Sequence, residues 1–297
     1  MKSGPQNIND GRDGFIVVAA LWILGALAAL ASIYSVYVAN AATSLAVNDD
    51  DLRAESVVTA ALELTAYKVT SAPSKDRPSR GRFAIRMNTA NAAVEFCSED
   101  ARVDLNKAPK ELLAGLFGAL GASANDADEY ADRIIGWRSP PPADTQDPEE
   151  SLYRAAGLSY GPRGAPFVHT AELALVVGLP PAMVERAMPY VTVYSARPEI
   201  NVRVAAPEVI AALPGMTPER LNATLGDRQS LVEQPSSSTS VATQTMATTD
   251  GSKAMRVTVN MVFDSGRAIG AEVVILIDGR DEPYRVLAWR SDTDAHR

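Results

Sequence analysis

The chain has 297 residues and a mass of 31.5 kDa, enough for one large or two medium domains around a sizeable core. Its 28 Lys and Arg against 36 Asp and Glu give a net charge of −8, which disfavours a generic polyanion binder, because phosphate contacts demand clustered cations. A single cysteine, Cys97, excludes an internal disulfide framework and any CxxC motif, and two histidines, His169 and His296, leave little for a histidine-based metal centre.

Residues 1–14 are polar, with Lys2 and Arg12 as the cations, and from Phe15 to Asn48 there is no charge. The apolar run is long enough for a bilayer, which needs about 20 residues. A short basic N-terminus predicts that this end stays cytoplasmic and the bulk of the chain lies outside. Three readings stand: a plain single-pass anchor; a cleavable secretory signal with Ala39-Asn40-Ala41 as its small-x-small site; and a prepilin-like leader ending at Gly14-Phe15. In the last, a peptidase cuts on the cytoplasmic face and leaves the whole apolar helix on the mature protein. The fifth residue counted from Phe15 is Ala19, where pilin-like proteins usually carry Glu. A charge at mid-bilayer costs a few kcal/mol. A subunit with no neighbour above it gains by losing that charge.

The helix is expected to continue to Thr70, on the order of 80 Å at ~1.5 Å per residue. Ala54, Val58, Ala61, Leu62, Thr65, Ala66 and Val69 share one face, which should cradle a small β-sheet, and Pro73 is the first breaker. Arg82–Met87 and Ala92–Ser98 read as strands joined by a polar turn. Cys97 lies in the second and reads as a buried structural thiol.

Residues 103 to about 232 read as helical and contain an internal repeat. Val103 to Leu113, followed by Gly118, and Ile200 to Ile210, followed by Gly215, are each an extended segment, a helix with proline near its first turn, and a glycine near its end. A second helix follows each, around Asp126–Ile135 and from Pro218. Such hairpins resemble helix–hairpin–helix modules, which makes a membrane-anchored DNA-binding protein of an uptake system the rival function. Glu111, Glu208 and Glu219, at or near helix starts, oppose it.

Between the hairpins runs a Pro-rich acidic loop from Ser139 to Glu150. Asp144, Asp147, Glu150 and Glu172 are candidate oxygen ligands for Ca²⁺, against the alternative of a solvated loop whose glutamates favour a helix N-terminus. Residues 233–252, rich in Ser and Thr, read as a flexible linker. Met255–Phe263, Ile269–Asp278 and Tyr284–Trp289 read as an antiparallel meander, and 291–297 as a disordered tail. No nucleotide loop, Ser-His-Asp set or catalytic carboxylate pair stands out, so no enzyme and no catalytic residue is expected.

Taken in order, several features resemble the minor pseudopilin K family of type II secretion systems. They are Gly14-Phe15 with Ala19, the repeat at Asn106–Pro109 and Asn201–Pro207, Trp137 before the acidic loop, Glu150-x-x-Tyr153, Ala165-Pro166, Glu172-Leu173 and Gly178. The resemblance implies an α+β, pilin-like fold: a long N-terminal helix packed on a small antiparallel sheet, with a large helical domain inserted between sheet strands. It divides the chain into a leader (1–14), the long helix (15–72), a sheet (73–102 and 253–290) and the insert (103–232). It further implies cleavage by prepilin peptidase and N-methylation at Gly14-Phe15, and assembly with minor pseudopilins I and J at a pseudopilus tip. Residence in the bacterial inner membrane with the C-terminal domain in the periplasm, Ca²⁺ in the helical domain and no nucleic acid partner complete the expectation. The chain departs from the family after Trp137, where Arg138, Ser139 and three prolines stand in place of the usual Asp residues.

Overall fold

The computed structural model describes residues 12–73, 77–87, 89–141, 148–233, 246–248, 253–278 and 282–292. By internal contacts the chain divides into two units, 1–56 and 57–297.

Helix α1 (Arg12–Thr70) has 59 residues, about 90 Å of helix. It begins ahead of Phe15, so Gly14 and Phe15 lie within its first turn; their side chains are outside those described. Within the first unit, Ile16–Ala41 has a mean hydropathy of 2.5, and every large apolar side chain from Ile16 to Val38 is exposed. Apolar surface that the chain's own fold leaves bare suits lipid or neighbouring helices, and the segment has the length of a single-pass anchor.

In the second unit α1 is amphipathic. Val57, Val58, Ala61, Leu62, Thr65, Ala66 and Val69 are buried, and Thr65 satisfies its hydroxyl by donating to the Ala61 carbonyl at 2.8 Å. The helix ends before Pro73, whose ring nitrogen has no proton to donate.

Strands β1 (Arg80–Met87) and β2 (Ala90–Ser98) follow. The helical region holds β3 (Val103–Asp104), α2 (Lys110–Ala119), α3 (Ala124–Arg138), α4 (Pro148–Ala155), α5 (Pro181–Ala187), β4 (Val191–Thr192), β5 (Ile200–Asn201), α6 (Pro207–Ala211) and α7 (Pro218–Glu233). Then come β6 (Ala247–Thr248), β7 (Ala254–Phe263), β8 (Ala268–Leu276) and β9 (Arg285–Asp292).

Five strands form one antiparallel sheet in the order β1-β2-β7-β8-β9, so the whole helical region is inserted between neighbouring strands β2 and β7. Residues alternate along β2 between buried and exposed, as one packed face requires. Phe83, Val94, Val259 and Ala271 stand on consecutive strands in register. Lys68 of α1 places its Nζ over the Phe83 ring, 5.2 Å from the centroid, which sets α1 against this face. Gly81 is opposite Phe96, and a Cβ there would fall 2.4 Å from the Phe96 ring, so glycine lets the ring lie flat across the edge strand.

The insert has its own core, drawn entirely from residues 103–213 and centred on Leu105, Leu112, Leu116, Phe117, Ile134 and Ile210. Three findings differ from the sequence expectation. Part of the segment read as a linker is ordered: Ala247–Thr248 pairs in parallel with Ile200–Asn201, and Met246 accepts the Ile200 amide at 2.8 Å. The last strand runs to Asp292, into the stretch read as tail. Cys97 is half-buried rather than buried, because it faces a cleft on the outer side of the sheet.

Candidate functional site

The insert is built on the repeat seen in the sequence. Asp104 and Asn201 occupy equivalent positions, and each turns the chain in the same way. The Asp104 Oδ1 accepts the Asn106 amide at 2.8 Å, and the Asn201 Oδ1 accepts the Arg203 amide at 3.1 Å. The backbone amides of Ala108 and Ala205 then donate to the Asp104 and Asn201 carbonyls at 2.8 and 2.9 Å. In each hairpin the second helix sends an arginine back to the same place: Arg138 donates to Leu105 and Ala108, and Arg228 to Ala205. The departure after Trp137 thus has a structural use, since Arg138 ties the turn of the first hairpin.

Asp104 does more than its counterpart. Its Oδ2 accepts the Ala196 amide at 2.8 Å and the Ser195 hydroxyl at 3.1 Å. Ala196 has φ of 57°, in the left-handed region, and this bond holds it there. Burial pushes the Asp104 carboxyl above its ordinary pKa, against the opposing pull of these donors.

The family-like residues after α3 form one clamp. Trp137 stacks near Tyr153 and Phe167, with centroids 6.0 and 6.1 Å away, and Tyr153 meets Tyr160 edge-on at 5.8 Å. The Val177 amide donates to the Tyr153 hydroxyl at 3.1 Å, and burial pushes that phenol up to about 12. Trp137 Nε1 donates to Glu172 Oε2 at 3.4 Å. Leu173 is fully buried, and Gly178 takes φ of 83°. The signature therefore pins the irregular segment 156–180 against α3 and α4.

For the candidate ligands, Asp144 and Asp147 lie outside the described residues. Glu150 is exposed in the first turn of α4 and pairs with Arg154 at 2.9 Å. Glu172 completes a capping box with His169: its Oε1 accepts the Val168 and His169 amides, and Arg163 approaches at 3.4 Å. Both described carboxylates are thus engaged by arginine. Among the described residues no group of three or more His, Cys, Asp or Glu is placed to hold a metal.

Sequence reasoning missed Glu99, a fully buried carboxylate that joins sheet to insert. Arg256 of β7 forks onto it, Nε to Oε1 at 2.7 Å and Nη2 to Oε2 at 3.1 Å, while Arg102 lies 3.3 Å away and the Thr192 hydroxyl donates to it. Arg256 also bonds Glu272 at 2.7 Å. The only hint in the sequence is a charge, Arg256, inside a run of β-formers.

A long helix, part of it bare and part laid on an antiparallel sheet that a helical domain interrupts, defines an α+β protein of the pilin-like class. Residues 86–196 match the family described as "Type II secretion system (T2SS), protein K". The resemblance to type II secretion minor pseudopilin K is supported by the family match over that stretch. The fold is similar to that of a chain in the crystal structure of the GspK–GspI–GspJ complex from enterotoxigenic Escherichia coli, with a TM-score of 0.59 at 16% identity over 82% of this chain and 98% of that one. No curated protein matches the chain.

Proposed function

We propose that this chain is a non-enzymatic minor pseudopilin that caps or initiates the pseudopilus tip of a type II secretion system and so supports export of folded proteins. The observation that carries this reading is the protein K match across 86–196, set on a fold shared with a chain of the GspK–GspI–GspJ complex. By that likeness its partners are minor pseudopilins I and J. Prepilin peptidase cuts after Gly14 and Phe15 becomes the methylated N-terminus. The apolar helix sits in the inner membrane and the second unit in the periplasm. Ala19 spares the end subunit an unpaired lipid-buried charge, and an insert of this bulk discourages a further subunit above. The DNA-binding alternative gains nothing from the hairpins, whose first turns carry Glu111, Glu208 and Glu219.

Gly14→Leu is the decisive variant. Intact mass of the membrane-extracted wild type should begin at a methylated Phe15. The variant should keep its leader and lose both co-purification with I and J and secretion. Equal masses and equal secretion overturn the reading. Calcium belongs to the same proposal: Asp144, Asp147, Glu150 and Glu172 would hold the ion, which would compete with Arg154 and Arg163 for the two glutamates. Chelation should then lower Tm, and an unmoved Tm removes the ion from the account.

A further inference from the structure

A cleft of ≈ 390 Å³ opens on the outer face of the sheet, between β1, β2 and β7 on one side and the insert on the other. Four arginines from four places in the chain line it: Arg80 on β1, Arg102 after β2, Arg228 on α7 and Arg256 on β7. Arg102 and Arg256 are balanced by Glu99 and Glu272. Arg228 donates to the neutral Ala205 carbonyl, and among the described residues neither Arg228 nor Arg80 has an acid partner. Burial, and next the charge of Arg80, lower the Arg228 pKa, and both residues line the cleft. Glu95 is the one acid on the wall. Pro189, Tyr190, Val204 and Pro207 give the remaining wall an apolar surface.

Arg228 ties the turn of the second hairpin through one N–H, and its remaining donors and its charge are left to the cleft. Exposed Arg80 and part-buried Arg228 bring two guanidiniums to one cleft, and a carboxylate segment could accept strong, forked hydrogen bonds from them. A small inorganic ion would leave most of the volume, and all of the proline and tyrosine wall, unused. We propose that the cleft is a docking site for an acidic extended segment of a partner protein, whose carboxylates bind Arg80 and Arg228 while its backbone and stems lie along Tyr190 and the prolines. The inference does not rest on the pseudopilin reading; it follows from charge and shape in the second unit.

Hexaglutamate peptide is the probe, titrated at low ionic strength against the full chain in detergent, with inorganic phosphate as the comparison. Cys97, the only cysteine and part of the same wall, reports occupancy through its rate of maleimide alkylation. Hexaglutamate should bind, slow Cys97 alkylation and lose at least tenfold in affinity in Arg80→Gln, whose Tm should not fall because the variant removes a repulsion. Arg154→Gln, a change of equal charge on α4, should bind as the wild type does. Equal affinity in Arg80→Gln and wild type, or no binding at all, overturns the proposal. Phosphate binding as tightly as the peptide overturns the peptide assignment and makes the cleft a small-anion site.

Discussion

Single residues far apart in the sequence hold the two halves of the second unit together, and their chemistry sets what each replacement should do. Glu99 is fully buried and compensates Arg256 and Arg102 at once. Glu99→Ala leaves part-buried Arg102 without its counter-charge and Arg256 with Glu272 alone; breaking a buried pair typically costs about 3–5 kcal/mol, whereas a matched apolar replacement of a whole pair is often neutral. Denaturant unfolding should show that loss for Glu99→Ala, and a loss below about 1 kcal/mol would mean that Glu272 and water suffice. Asp104 makes the opposite case. Its folded pKa is raised, so the folded state binds more protons than the unfolded one between the ordinary value near 4 and the raised value. Its contribution is therefore most favourable in acid and is lost as pH rises through the raised pKa. Asp104→Asn should keep the turn, since Asn201 serves the equivalent turn, should lose the acceptor for the Ala196 amide, and should flatten this slope. Parallel stability–pH curves for variant and wild type would refute that assignment.

At the scale of elements, much was legible in the sequence, and for identifiable reasons. The five sheet strands were visible because β-formers alternate between turn signals, as in Ala92–Ser98, and because Asp264-Ser265-Gly266 supplies a residue, Gly266, at φ of 84°. The hairpin repeat was visible because proline and glycine punctuate both copies at the same offsets. The pairing of those copies was not, because it depends on a missing side chain. A Cβ on Gly115 of α2 would fall 2.1 Å from the carbonyl oxygen of Ala212 at the end of α6, and backbone cannot give way as a flexible side chain can. Gly115→Ala should thus destabilise by about 1–3 kcal/mol through overpacking, although alanine is the better helix former. Gly118→Ala, three residues on and facing open space, is the control and should stabilise by up to about 1 kcal/mol. A gain in both variants would show that α2 and α6 are not in close contact. The acidic-loop site stayed illegible for a different reason. Glu150 and Glu172 look like free oxygen donors in sequence, but each has an arginine partner, and Arg163 is supplied by an irregular segment whose path no periodicity announces.

For the whole molecule, register explains how so large a domain is carried on so small a sheet. Ser98 at the end of β2 pairs with Met255 near the start of β7, so the insert leaves and re-enters at one corner, where a simple hairpin would need a tight turn. The sheet therefore keeps its antiparallel order whatever fills the corner. The insert in turn need not borrow core from the sheet, because its buried cluster comes only from residues 103–213. Beyond that cluster the insert is tied to the sheet through Glu99, and Asn201 donates to Ser79, just ahead of β1, at 3.3 Å. A fragment spanning 99–248, which retains Glu99, Thr192 and the short pairing of Ala247–Thr248 with Ile200–Asn201, should fold alone. Its urea unfolding should be cooperative, with near-ultraviolet circular dichroism from Trp137 and Tyr153 lost in the same transition as the helical signal. Helical signal without that aromatic signature, or a transition with no baseline, would show that the insert depends on the sheet for its packing and that the corner is a shared interface rather than a point of attachment.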